Sequence, residues 1–262
     1  LHVIRAMNIA GAETFIMNVY RKIDRSKIQF DFLLNVNNEC DYNDEIRQLG
    51  GRIFSIPRFY LFNYLSYRNN CIAFFQEHPE IRIVHGHIGS SAPVYLPIAK
   101  QAGRFAIAHS HNAMPNNSLY NIAFNTIARS VRGKADYYMA CSLEAGISRF
   151  GKMITDGNNF SVVKNGIDSS LYKRNSTLIA NAKSALHTDG NPVFLHIGRF
   201  TAQKNHPFLI EVFQKIKEQL PNALLLLVGT GEDIDKIRQQ VISSNLKDSV
   251  RFLGTRTDIP FI

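Results

Sequence analysis

The sequence predicts an α/β fold built from two parallel-sheet units, each with helices covering both faces of its sheet. Three observations carry that prediction. Short apolar runs alternate with amphipathic stretches from end to end, the pattern of strands joined by crossover helices. The alternation lapses over a polar stretch, 169–191, and then restarts. Glycines, histidines and basic residues fall just past the apolar runs, where ligands sit in sheets of this class.

The elements follow in order. The first strand is 2–4, and Gly11 turns the chain into a helix over 14–22. A glycine at that turn lets backbone approach a ligand closely. Strands at 30–34 and 52–55 flank a short helix, 44–49. An aromatic run, 59–68, follows Pro57 and enters the helix 65–77. Strand 83–85 leads to helix 94–102, strand 105–108 to helix 119–131, strand 137–140 to helix 143–150, and 160–163 is the seventh strand. One helix, 178–186, lies in the polar stretch. Then come strand 193–197, helix 206–219, strand 223–228, helix 232–242 and strand 250–253. The helix 206–219 rests on Phe208, Leu209, Val212, Phe213 and Ile216, which recur at helical spacing. The expected division is a first domain at 1–165, a linker at 166–190 and a second domain at 191–262.

Composition narrows the function classes. A hydrophobic content of 45% with 11% aromatics is that of a folding chain, not a disordered one. No window approaches ~18 uninterrupted apolar residues, so no membrane span is expected. The first ten residues are too short and polar for a signal peptide. Cys40, Cys71 and Cys141 are widely spaced with no CxxC pair, which argues against a zinc or disulfide framework. A reducing cytoplasm is expected. The net charge is +9, yet lysines and arginines are scattered and no nucleic-acid motif is present, so nucleic acid is set aside as a partner. Phosphorylated substrates and an anionic membrane surface account for the charge more simply.

The candidate residues cluster at strand ends. Arg199 and Lys204 stand five apart, past one strand and before a helix start. Arginine offers a planar fork to phosphate oxygens, lysine a mobile point charge, and the helix start free N–H groups; together they suit a diphosphate. Two solvated surface cations would share that spacing. His109 and His111, like His85 and His87, are two apart and point the same way in extended backbone. A metal pair is conceivable, but no carboxylate or third histidine in the segment supports it, and hydrogen-bonded structural histidines remain the alternative. Gly229-Thr230-Gly231 lacks the third glycine of a dinucleotide loop and the lysine of a phosphate loop, which excludes those nucleotide enzymes. The aromatic run 59–68, flanked by Arg52, Arg58 and Arg68, reads either as a packed helix entry or as an interfacial membrane patch.

Gly198-Arg199-Phe200 followed by Lys204-Asn205 resembles the donor-diphosphate loop of retaining glycosyltransferases of family four. Further segments agree in order: Ile9 to Glu13 around Gly11, Ala108 to Asn112, Val163 to Asp168, Leu227 to Gly231, and Phe252-Leu253-Gly254. The closest flavour is that of bacterial capsule and exopolysaccharide enzymes. The resemblance implies the GT-B fold, two facing Rossmann-like domains, and transfer of a sugar from a nucleotide-diphosphate donor to a lipid-linked glycan, with retention and without a metal or other cofactor. It implies catalytic roles for His111, Arg199 and Lys204. Gly11, His109, Gly198, Arg199, Lys204, Gly229 and Arg256 would bind the donor, and His85 and His87 would line the acceptor side. A peripheral place on the inner face of the plasma membrane follows. An inactive nucleotide-sugar-binding module and a GT-B epimerase or phosphorylase are the alternatives.

The family pattern continues past Arg256 into a segment with two glutamates eight positions apart, which contact the donor. This sequence ends at Ile262, before that segment, and begins at Leu1 without a methionine. The expectation is a fragment of a longer enzyme, itself inactive, with an incomplete second domain. Phe194, Leu225 and Leu227 would then be poorly buried.

Overall fold

The computed structural model describes residues 1–112, 126–127, 129–173, 175–256 and 258–262. The helix expected at 119–131 falls largely outside these. The chain divides into two compact units, Leu1–Ile167 and Asp168–Ile262. The division comes two residues after the first domain's expected end. The stretch expected as a linker therefore belongs almost wholly to the second unit, where it forms a helix of its own.

The first unit is a seven-stranded parallel sheet in the order β3-β2-β1-β4-β5-β6-β7. Its strands are β1 (His2–Ile4), β2 (Phe32–Leu34), β3 (Ile53–Ser55), β4 (Ile83–Gly86), β5 (Phe105–Ser110), β6 (Tyr137–Ala140) and β7 (Phe160–Val162). Helices α1 (Gly11–Lys22), α2 (Asn43–Gln48), α3 (Tyr64–Glu77), α4 (Ala92–Gln101), α5 (Leu143–Phe150) and α6 (Lys152–Thr155) connect or flank them. Successive strand residues face opposite sides, so the sheet feeds two cores. Val3, Leu33, Val84, Ala106 and Ala108 pack against Tyr67, Phe75 and Tyr95 of α3 and α4. Ile4, Phe32 and Leu34 pack against Ile16, Met17 and Tyr20 of α1 and Ile46 of α2. Burial on both faces is why these strands read as continuous apolar runs rather than alternating ones.

The second unit carries a three-stranded parallel sheet, β10-β9-β8, from β8 (Val193–Ile197), β9 (Leu224–Val228) and β10 (Val250–Gly254). Its helices are α7 (Ser176–Ala185), α8 (His206–Gln219) and α9 (Ile234–Ser243). The Asn175 side chain caps α7 by accepting from the Leu178 N–H. Leu225 and Leu227 were expected to be poorly buried, and this is corrected: both are sealed, with Phe200, Ile210, Phe213, Ile237 and Val241 packed around them. Phe194 is half-buried at the edge of the same core. The reason is topological. β9 is the middle strand, flanked on both sides, and α8 and α9 close the face that carries those residues. The exposed apolar atoms belong instead to the opposite face of β8, at Val193, Leu195 and Ile197.

Candidate active site

In the second unit, three backbone segments meet at the carboxyl ends of the strands. The Gly198 N–H donates to the Val228 carbonyl at 2.9 Å, and the Gly229 N–H to the Gly254 carbonyl at 2.8 Å. Gly229 has φ +132°, and a Cβ there would overlap the Gly198 carbonyl oxygen. Glycine at 229 is therefore required by the approach of two backbones. The loop that follows Gly198 is held by the Phe200 N–H on the Thr230 carbonyl at 3.0 Å, and the Phe200 ring is fully buried. Lys204 folds its stem back over Gly198, where a Cβ would meet Cδ at 3.4 Å. Arg199 and Lys204 are both exposed, and neither has a carboxylate partner among the described residues. His206 opens α8, stacked on Phe200 at 4.1 Å. Two free cations thus stand beside a helix N-terminus on a buried anchor, a ready site for a diphosphate. Arg256, expected at the donor, holds Asp258 through Nε and Nη2, the carboxylate using both its oxygens.

In the first unit, the strand ends gather histidines. The register pairs His2 with His85 and Gly86 with Ala108. His2, His85, His87, His109 and His111 consequently fall on one face of the sheet. His109 lies inside β5, which runs two residues further than expected, and His111 follows it. The rings form a ladder, with centroids 4.4 Å apart for His85 and His87, 5.0 Å for His87 and His111, and 4.2 Å for His109 and His111. Three hydrogen bonds run through it: His2 Nδ1 to His87 Nε2 at 2.9 Å, His87 Nδ1 to His111 Nε2 at 2.7 Å, and His85 Nε2 to His109 Nδ1 at 3.0 Å. Phe15 of α1 sets its ring against His109 and His111. Burial holds every one of these imidazoles neutral. It pushes His111 down to about 4, His85 to about 3 and His109 to about 2, and puts His2 and His87 well below the usual histidine range. Mutual repulsion adds to the effect for all but His111.

A cavity of about 90 Å³ opens beside the ladder, lined by Gly86, His87, His109, His111 and Arg149 among others. His85 does not line it. Gly11 begins α1 with open space where a Cβ would point, so a ligand can approach the backbone there.

Two residues escaped sequence reasoning. His2 sits in the first strand, and only the pairing of β1 with β4 brings it to the others. Arg149 lines the cavity with Nη1 unpartnered among the described residues. Burial, then the nearby Arg129, lowers its pKa to about 10. Its signal was an arginine next to Phe150, the large apolar residue that this helix buries. The sequence set metal aside for want of a third histidine in the segment. The fold supplies that histidine from β4 and a further one from β1.

The description "Glycosyl transferases group 1" matches residues 179–262. The chain is 33% identical to the putative glycosyltransferase EpsF of Bacillus subtilis, over 99% of this chain and 69% of that protein. It is 26% identical to a phosphatidyl-myo-inositol mannosyltransferase of Mycobacterium tuberculosis, over 69% of this chain and 45% of that one. Among solved structures, Anabaena HepE in complex with UDP and glucose superposes with a TM-score of 0.79 at 19% identity, covering 99% of this chain and 70% of HepE. WaaG, a glycosyltransferase involved in lipopolysaccharide biosynthesis, gives 0.73 at 16% identity, with 99% and 70% covered. These superpositions establish the fold class, an α/β GT-B architecture with two parallel sheets and a small second unit.

Proposed function

Because the chain belongs to the group 1 glycosyl transferases, we propose that it carries a sugar from a nucleotide-diphosphate donor to a hydroxyl of a lipid-linked glycan, with retention and without a metal at the diphosphate. One observation carries the reading: Arg199 and Lys204, free of carboxylates among the described residues, flank the α8 N-terminus on the loop that Gly198 and Gly229 pin. As the bond from the anomeric carbon to the diphosphate oxygen breaks, charge develops on that oxygen. Preorganised cations there lower the barrier, the work a metal ion does in other transferases. The complex of HepE with UDP and glucose supports a nucleotide-sugar donor. Arg149 offers its charge to a phosphate on the acceptor.

The test uses the gene's complete product with labelled nucleotide sugars and a polyprenyl-diphosphate-linked acceptor. Transfer that keeps the donor's anomeric configuration and persists in EDTA supports the proposal. Loss of transfer in EDTA removes the metal-free claim, and donor binding without turnover would favour a binding module instead.

The aromatic run adds a membrane contact to this reading. No helix among the described residues is long and apolar enough to cross a membrane. Leu61, Phe62 and Leu65 are nevertheless 69%, 88% and 71% exposed, with Tyr60 stacked on Phe62 and Arg58 over Tyr60. Phe59 and Tyr67 turn inward against one another instead, so the run splits between core and surface. Arg52 is taken up by Asp31 and Glu80, whereas Arg58 and Arg68 have no carboxylate partner among the described residues. An apolar tip flanked by arginines fits an anionic bilayer surface. Replacing Leu61 and Phe62 with serine should cut flotation with anionic vesicles at least tenfold, since each side chain gains ~1.5–3 kcal/mol on leaving water. The melting temperature should hardly move. A double variant that floats like wild type would end this part of the proposal.

A further inference from the structure

The histidine ladder has a use that sugar transfer does not call for. We propose that His87, His109 and His111 form a binding site for one transition-metal dication of the zinc type, and that His2 and His85 are the outer groups that orient two of its ligands.

One ring nitrogen from each of His87, His109 and His111 lies within 4.8 Å of the other two. The hydrogen bonds decide which nitrogens are available. His87 Nε2 meets His2 Nδ1, and His109 Nδ1 meets His85 Nε2. If each inner ring donates its N–H outward across these bonds, His87 Nδ1 and His109 Nε2 keep their lone pairs. His109 Nε2 is buried and has no hydrogen-bond partner among the described residues. His111 supplies Nε2, already 2.7 Å from His87 Nδ1. Two ligands on one tetrahedral ion stand about 3.3 Å apart at metal–nitrogen distances near 2.0–2.1 Å, so these rings need to part by a few tenths of an ångström.

The proton count closes. Each imidazole is neutral and keeps one N–H: His87 at Nε2, His109 at Nδ1 and His111 at Nδ1, the last moved from the nitrogen that takes the metal. For His87 and His109 the arrangement then has the form of natural zinc sites, in which a ligating histidine donates its other N–H to a fixed acceptor, whereas His111 Nδ1 has no hydrogen-bond partner among the described residues. Here the acceptors are themselves histidines, which accounts for all five rings.

The donor set also selects the ion. Three imidazoles without a carboxylate suit zinc, copper, nickel or cobalt and not magnesium or calcium, which seek oxygen. His2, His85 and His87 form a second close triad. The first is preferred because its three members all line the cavity, which leaves a fourth position open, and because it uses the remaining pair as acceptors. Arg149 in the same cavity opposes a bare dication and favours an anion as fourth ligand.

A filled site occupies His111, to which the family resemblance assigns a catalytic role, so bound metal should slow transfer and chelation should never lower it. This consequence, unlike the binding, rests on the function proposed above.

Cobalt(II) titrated into the 262-residue chain tests the binding without reference to activity. The expected result is saturation at one equivalent, with the intense visible bands of four-coordinate cobalt, and displacement by zinc. His111→Gln and His109→Gln should abolish the bands. His2→Asn and His85→Asn should weaken binding about 10–100-fold, the usual loss for an outer partner. Circular dichroism checks that each variant is folded. Should a ligand variant unfold, the wild-type titration still decides. Cobalt that stays six-coordinate in the wild-type chain overturns the proposal, as do bands that persist in folded His111→Gln or vanish only with His2→Asn.

Discussion

Replacing Arg199 or Lys204 with alanine should lower turnover about 10²–10³-fold, the scale of removing one preorganised charge from a developing oxyanion, or roughly 2.7–4 kcal/mol. The structure says why the loss should appear in the rate and not in the fold. Both side chains are exposed and have no carboxylate partner among the described residues, so truncation strands no buried charge. The loop itself is held by Phe200 in the core and by backbone bonds from Gly198 and Phe200. Arg199→Lys should recover only part of the rate, because lysine keeps the charge without the planar fork. Steady-state kinetics on the gene's complete product, beside a thermal melt of each variant, gives the answer. Rates within a few-fold of wild type for both alanine variants would remove the diphosphate assignment.

Acid should unfold the first unit well above the pH at which carboxylates titrate. His2, His85, His87, His109 and His111 are held neutral in the fold by burial, which pushes His111 down to about 4, His85 to about 3 and His109 to about 2 and puts His2 and His87 well below the usual histidine range. In the unfolded chain they take up protons near pH 6.5. The unfolded state therefore binds more protons as pH falls, and stability drops with it. Above pH 6.5 the contribution is complete. Below it His85, His109 and His111 each remove about 1.4 kcal/mol per pH unit, the three together on the order of 4, and His2 and His87 act in the same direction. A domain has roughly 5–15 kcal/mol to lose, so unfolding should be under way near pH 5. Asp136, whose pKa lies below the carboxylate range, acts only at lower pH and leaves this window to the histidines. Urea midpoints at pH 7.5, 6.5 and 5.5, with hydrogen exchange to separate the two units, measure the effect. A midpoint that stays level from pH 7.5 to 5 would show that the ladder protonates in place.

Much of the architecture was legible because the two periodicities are local. The strands at 2–4, 137–140 and 193–197 and the helices at 143–150 and 206–219 fall where apolar spacing put them. Glycine and cation spacing likewise located the Gly198–Lys204 loop, since strand, turn and helix start are consecutive in the chain. The burial of Leu225 and Leu227 was misjudged for the opposite reason. A strand's burial depends on its neighbours in the sheet, and spacing along one strand does not reveal which strand is central.

The sequence alone determined the alternation of strands and helices and the placing of a cationic loop at a helix start, which follow from residues a few positions apart, and the family, which follows from the order of short segments along the chain. Tertiary structure alone decided the rest. Pairing of β1 with β4 and of β4 with β5 brings His2, His85 and His109, separated by 83 and 24 positions, onto one face. Burial then strips their charge and leaves hydrogen-bonding nitrogens facing one another. Folding also paired Arg256 with Asp258 and Arg52 with Asp31, while leaving Arg199 and Lys204 free of carboxylates among the described residues. Charge, availability and coordination depend on what stands within a few ångströms, and that neighbourhood exists only once the sheet has formed.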